Sequence, residues 1–102
     1  MSPFGKKKSK IIYAEKRGKA AYHEFGGHVN VNMGAIGDVV REMKDKCIAQ
    51  DAEGSLRSLS EATGAPPGTV QFTIQMMSGA EGFGVKYRQG DNDILIRFFR
   101  TR

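Results

Sequence analysis

Residues 56–77 read LRSLSEATGAPPGTVQFTIQMM, and the way this stretch folds decides how the rest of the chain is organised. Ser58 and Glu61 stand three apart. At that spacing a serine oxygen and a glutamate carboxylate satisfy the free N–H groups of a helix start reciprocally. Gly64 supplies a stop, which predicts a short helix over 58–63. Pro66 and Pro67 mark the next start, because proline is tolerated in a first helical turn. Beyond them two periods compete. Read in twos, Val70, Phe72, Ile74 and Met76 face one way and Gln71, Thr73 and Gln75 the other, as in a strand. Read helically, Val70, Ile74 and Met77 share a face with Thr73 beside them. Intrinsic preference leans towards strand, since threonine, valine, phenylalanine and isoleucine fit a pleated surface. The flanking context, a proline start after a stopped helix, favours a helix over 67–77.

Working outwards, Ile36, Val39, Val40, Met43, Cys47 and Ile48 recur at spacings of three and four, which predicts an amphipathic helix over 35–50. Its opposite face pairs Arg41 with Asp45 and Glu42 with Lys46 at helical spacing. Cys47 lies on the apolar stripe and reads as a small buried hydrophobe rather than a reactive thiol. Residues 51–54 read as a loop. On the other side, 83–88 and 94–100 are apolar-rich runs around Gln89-Gly90-Asp91-Asn92-Asp93, the chemistry of a β-hairpin. Upstream, Ile11 to Tyr13, then 20–25 and 28–33, read as short strands, the last two separated by Gly26 and Gly27. Residues 1–9 are polar, basic and interrupted by Pro3 and Gly5, so they are expected to form a flexible arm ahead of one domain over 10–102.

The whole chain fits that division. At 102 residues with 39% hydrophobic side chains it can bury one core. Its formal charge of +5 is uneven: residues 1–20 carry seven cations and only Glu15 against them, while the remainder is close to neutral. Lys86, Arg88, Arg97, Arg100 and Arg102 make a second basic region at the end. Such polarity suits a polyanion held at one side, where neutralised phosphates release their counterions. A single cysteine rules out an internal disulfide and a four-cysteine zinc site, and fits a reducing, intracellular (cytoplasmic) setting. No apolar run reaches membrane-spanning length. His23 and His28 are five apart around two glycines, not four apart on a helical face, so the zinc-protease geometry fails and they read as turn or sheet residues. No nucleophile or acid/base constellation can be assembled, so no enzyme, cofactor, metal or small-molecule substrate is expected.

Taken together, residues 36–99 resemble the winged helix-turn-helix family of DNA-binding domains, in the order helix, helix, turn, recognition helix, two-stranded wing. Leu59, Ser60, Gly64, Pro66, Thr69, Val70, Ile74 and Met77 carry the likeness, at spacings that recur in bacterial regulators. The sequence departs from that pattern at Thr73, where an apolar residue is usual, at Phe72, on a face normally exposed, and in having no Lys or Arg over 66–80. The resemblance implies an α+β fold, a winged helix-turn-helix with extra N-terminal strand material and a C-terminal hairpin wing. It also implies a regulator or plasmid- or phage-type accessory protein that binds duplex DNA, as a homodimer on two half-sites. The residues expected to touch DNA are Lys6, Lys7, Lys8 and Lys10 of the arm, Arg57, then Thr69, Gln71, Phe72 and Gln75 of the recognition helix, with Lys86 and Arg88 as a phosphate clamp on the wing. Two other functions fit the sequence. One is a β-rich domain for single-stranded DNA or RNA, with 69–77 a strand and Tyr13, Tyr22, Phe72 or Tyr87 stacking on bases. The other is a protein-interaction or assembly module that exposes Phe72, Met76 and Met77.

Overall fold

The computed structural model describes residues 10–15, 22–25, 28–31 and 33–101, with the backbone alone at 22–25, 28–31 and 33. Lys6, Lys7 and Lys8 and the rest of the expected arm lie outside the described residues. The elements, in chain order, are β1 (Ile11–Ile12), β2 (Tyr22–Phe25), β3 (His28–Val31), α1 (Met33–Gln50), β4 (Glu53–Ser55), α2 (Leu56–Thr63), α3 (Pro67–Glu81), β5 (Phe83–Gly90) and β6 (Asp93–Arg100). The fold is therefore mixed α+β, as expected. Strands β2 and β3 form an antiparallel pair in which Phe25 faces His28, so both histidines belong to strands. The other four make one sheet in the order β1-β4-β6-β5, with β1 parallel to β4 and the remaining pairs antiparallel.

Residues 67–81 are a helix, and the strand reading of 69–77 is set aside with the β-rich arrangement that depended on it. The deciding factor is burial. Helical spacing gathers Val70, Thr73, Ile74 and Met77 on one buried side, whereas the alternating pattern would have split Ile74 from Met77 and placed Phe72 and Met76 inside. Thr73 is tolerated in the core because its hydroxyl donates to the Thr69 carbonyl at 2.9 Å, one turn back. Gly64 and Gly82 end α2 and α3 in the left-handed region, both at φ 75°, each with its N–H returned to a carbonyl four residues earlier. Ala65, between the two helices, is buried, and Ser60 closes the turn by donating to its carbonyl.

Two boundaries differ from the sequence reading. The helix predicted over 58–63 begins at Leu56, and its cap is Ser55, whose side chain accepts from the Ser58 N–H at 3.0 Å. Ser58 lies inside the first turn. Its own hydroxyl donates to the Ser55 carbonyl at 2.8 Å and accepts from the Ala14 N–H at 2.9 Å, which ties the exit of β1 to α2. The loop expected over 51–54 is partly β4, which has β1 on one side and β6 on the other. Strand propensity gives no warning there, because Gly54 is an unfavourable strand residue. It is needed because a Cβ at 54 would overlap the Met43 side chain of α1.

The core lies between the helices and one face of the sheet. Ile36, Val40, Met43 and Cys47 of α1 meet Leu56 and Leu59 of α2, Val70 and Ile74 of α3, and Phe83, Ile96 and Phe98 of the hairpin. Cys47 behaves as the sequence implied: it is buried, and desolvation pushes its thiol up to about 11. Arg41 forks onto Glu81, with Nη2 to Oε2 at 2.7 Å, and so fastens α1 to the last turn of α3.

The hairpin tip is fastened as well. Asp93 accepts from the Ser55 hydroxyl through Oδ2, and through Oδ1 from the Arg57 N–H at 3.1 Å and the Ile94 N–H at 2.7 Å. A carboxylate from a distant strand thus completes the cap of α2, at the end where the helix dipole favours negative charge. Asp93→Ala is expected to destabilise the domain by about 0.5–2 kcal/mol, the range for loss of a helix cap. Urea unfolding measures this, and an unchanged midpoint would show that the tip is held by packing alone.

Candidate nucleic-acid interface

Three backbone segments meet on one side of the molecule: the first turn of α2, the first turn of α3 and the tip of the β5–β6 hairpin. They line a cleft of about 470 Å³ bounded by Leu56, Arg57, Ser60, Glu61, Pro67, Gln89, Asn92, Asp93 and Ile94. The tip turns through Asp91 and Asn92, with Asn92 at φ 56°, a conformation asparagine accepts more readily than most residues. Beside the cleft runs the outward face of α3. Gln71 stands one turn beyond Pro67, and Gln75 one turn further, along the same flank. Phe72 and Met76 form a parallel row and are 58% and 59% exposed. Gly68 and Gly79 sit near the two ends of this face, and a side chain added at either would meet nothing within 4 Å.

The expected site residues therefore separate into two groups. Arg57 lines the cleft, Phe72 and Gln75 are exposed on the outer side of α3, and Thr69 and Gln71 are half-buried on its flanks. Arg57 is also paired with Glu61 at 3.6 Å. Met77, expected among the exposed residues of a protein-docking face, is buried in the core. Lys86 and Arg88 are elsewhere. Alternation along β5 puts them on the sheet face opposite the helices, in register with Arg97 and Leu95 of β6. Lys86 lies 5.8 Å from the Phe99 ring centroid, and Lys10 is exposed at the sheet edge beside β4.

Arg88 has a structural task that the sequence does not reveal. Its guanidinium forks onto Glu53 of β4, Nε to Oε2 at 2.7 Å and Nη2 to Oε1 at 2.8 Å. Because β6 runs between β4 and β5, the arginine stem has to cross it, and Leu95, in register with Arg88, is only 4% exposed. Glu53 is 3% exposed, a carboxylate that depends on its partners for its charge. Donating these hydrogen bonds to Glu53 makes Arg88 hold its proton more tightly than usual. Arg88 thus staples the sheet while its side chain stays 56% exposed, and Lys86 is exposed on the same face.

Among the described residues no group of three or more histidine, cysteine, aspartate or glutamate side chains could hold a metal ion, and no helix is long and apolar enough to cross a membrane. Comparison with protein-family models, curated proteins and solved structures gave no match to the chain.

Arg88→Ala is expected to lower the urea midpoint, because it leaves the Glu53 carboxylate buried without its fork. Adding Glu53→Gln to that variant should recover part of the loss, and Lys86→Ala should leave the midpoint where it is. Equal midpoints for Arg88→Ala and the wild type would show that Glu53 does not need the pair.

Proposed function

We propose that the chain is a winged helix-turn-helix domain that binds duplex DNA, with α3 as the helix that enters the major groove. The observation that carries this reading is the convergence of the α2 start, the α3 start and the hairpin tip on one side. A duplex needs such an arrangement if a helix is to lie in its groove while flanking elements meet the sugar-phosphate backbone. The order α1, β4, α2, α3, β5, β6 supports it, with only Gly64, Ala65 and Pro66 between α2 and α3.

Charge is distributed unusually for that role. With no cation over 66–80, attraction for phosphate has to come from other elements: Arg57, the exposed Lys86 and the seven cations of residues 1–20, Lys10 among them. Asp91 at the hairpin tip works against it. A second reading, a protein partner seated on α3, draws on the exposure of Phe72 and Met76. It requires that the chain lack affinity for duplex DNA at physiological salt.

Two substitutions test the DNA reading by fluorescence anisotropy over a range of salt concentrations. Asp91→Lys should tighten duplex binding and steepen the log–log salt dependence by about 0.9 for each additional phosphate neutralised. Removing residues 1–9, which leaves the Lys10 carbonyl to accept from the Glu53 N–H, should weaken binding to all sequences and flatten that dependence by about 0.9 for each phosphate no longer neutralised. Slopes unchanged in both variants would place the phosphate-binding groups away from tip and arm and would count against this orientation.

A further inference from the structure

We propose that the outward face of α3 reads A·T-rich duplex DNA, its glutamine row pairing with adenine and its Phe72–Met76 row packing on thymine methyl groups. This rests on the DNA-binding reading and specifies the ligand of the same face.

In the major groove a G·C pair is recognised by a cation on guanine O6 and N7, or by a carboxylate accepting from cytosine N4. Residues 67–80 contain neither a cation nor a carboxylate. Glu81, the one acid of α3, is held by Arg41 at 2.7 Å and faces Lys44. The face has neither of the two charged groups that favour a G·C pair.

What it does carry is the complement of the other pair. The major-groove edge of A·T presents an acceptor and a donor on adenine, then an acceptor and a methyl group on thymine. The amides of Gln71 and Gln75 can each donate and accept towards adenine N7 and N6. Beside them, Phe72 and Met76 present a parallel apolar row, 58% and 59% exposed. Residues four apart on a helix are about 6 Å apart along its axis, close to two base-pair steps. A polar row and an apolar row running together therefore match successive A·T pairs, with adenines on one side and methyls on the other. Gly68 and Gly79 leave open space at each end, so the helix backbone can approach the groove closely.

The test uses the full chain and labelled duplexes of equal length, so that the phosphate term is constant. One is A·T-rich, one is G·C-rich, and one is the A·T-rich duplex with every thymine replaced by deoxyuridine, which removes only the 5-methyl groups. The A·T-rich duplex should bind at least about tenfold more tightly than the G·C-rich one, the scale of one good base contact. Deoxyuridine should weaken binding by about fourfold for each methyl that the face covers. Phe72→Ala, an exposed substitution whose folding is checked by circular dichroism, should abolish that sensitivity, and Gln71→Ala should shrink the A·T preference.

Equal affinity for A·T and G·C duplexes overturns the inference and leaves the DNA-binding reading standing. No affinity for any duplex overturns both. An A·T preference that survives deoxyuridine and Phe72→Ala belongs to the minor groove, which the methyl groups do not enter, and removes α3 from the assignment. If Phe72→Ala instead dissociates a dimer and leaves base preference unchanged, the face joins two copies of the chain and the inference fails.

Discussion

The Asp93 carboxylate is the constraint on which the geometry of the candidate surface depends. It joins the hairpin tip to the helices by hydrogen bonds, and it does so at the α2 start, where free N–H groups need an acceptor. Ser55, the cap on one side of the Asp93 contact, also accepts from Ser58, and Ser58 holds Ala14. One short network therefore joins the N-terminal strand, the second helix and the hairpin. Without it the tip would be positioned by the ladder to β4 and by packing alone.

Each of the other fastenings stiffens a different joint. Arg41 on Glu81 fixes the far end of α3 to α1, so the helix is held at both ends while its middle is anchored by Val70, Ile74 and Met77. Arg88 on Glu53 holds β5 to β4 across the intervening strand. On the outer side of α3, Phe72, Gln75 and Met76 are exposed and Gln71 is half-buried beside them.

Much of this was legible in the residues. The α1 stripe, the Gly64 stop, the paired prolines and the hairpin around Asp91-Asn92 each depend on contacts or backbone conformations within a few positions, and sequence spacing records those directly. The helical state of 67–81 was legible only through its flanks, since local preference pointed to a strand and long-range burial of Ile74 and Met77 overruled it. What the residues did not disclose were pairings set by distant partners. Ser58 looked like a cap because Glu61 follows it, yet Ser55 holds that place because Asp93 and β6 fix the chain just before the helix. Likewise Arg88 and Lys86 look alike in sequence. They part company because Glu53 lies across the sheet from one of them, and no spacing rule reports a carboxylate 35 residues away.

The two-residue strand β1 has a consequence for how the molecule assembles. Ile11 pairs with Glu53 and Ile12 with Gly54, so this strand can dock only after the chain has closed a loop of some forty residues. The α2–α3 turn and the β5–β6 hairpin need no such closure. With two residues at the sheet edge, β1 has few bonds to lose on local opening, and its departure bares the edge of β4. In hydrogen exchange the Glu53 amide, which donates to the Lys10 carbonyl at 2.9 Å, would report that fraying separately from the slower exchange of the helical core.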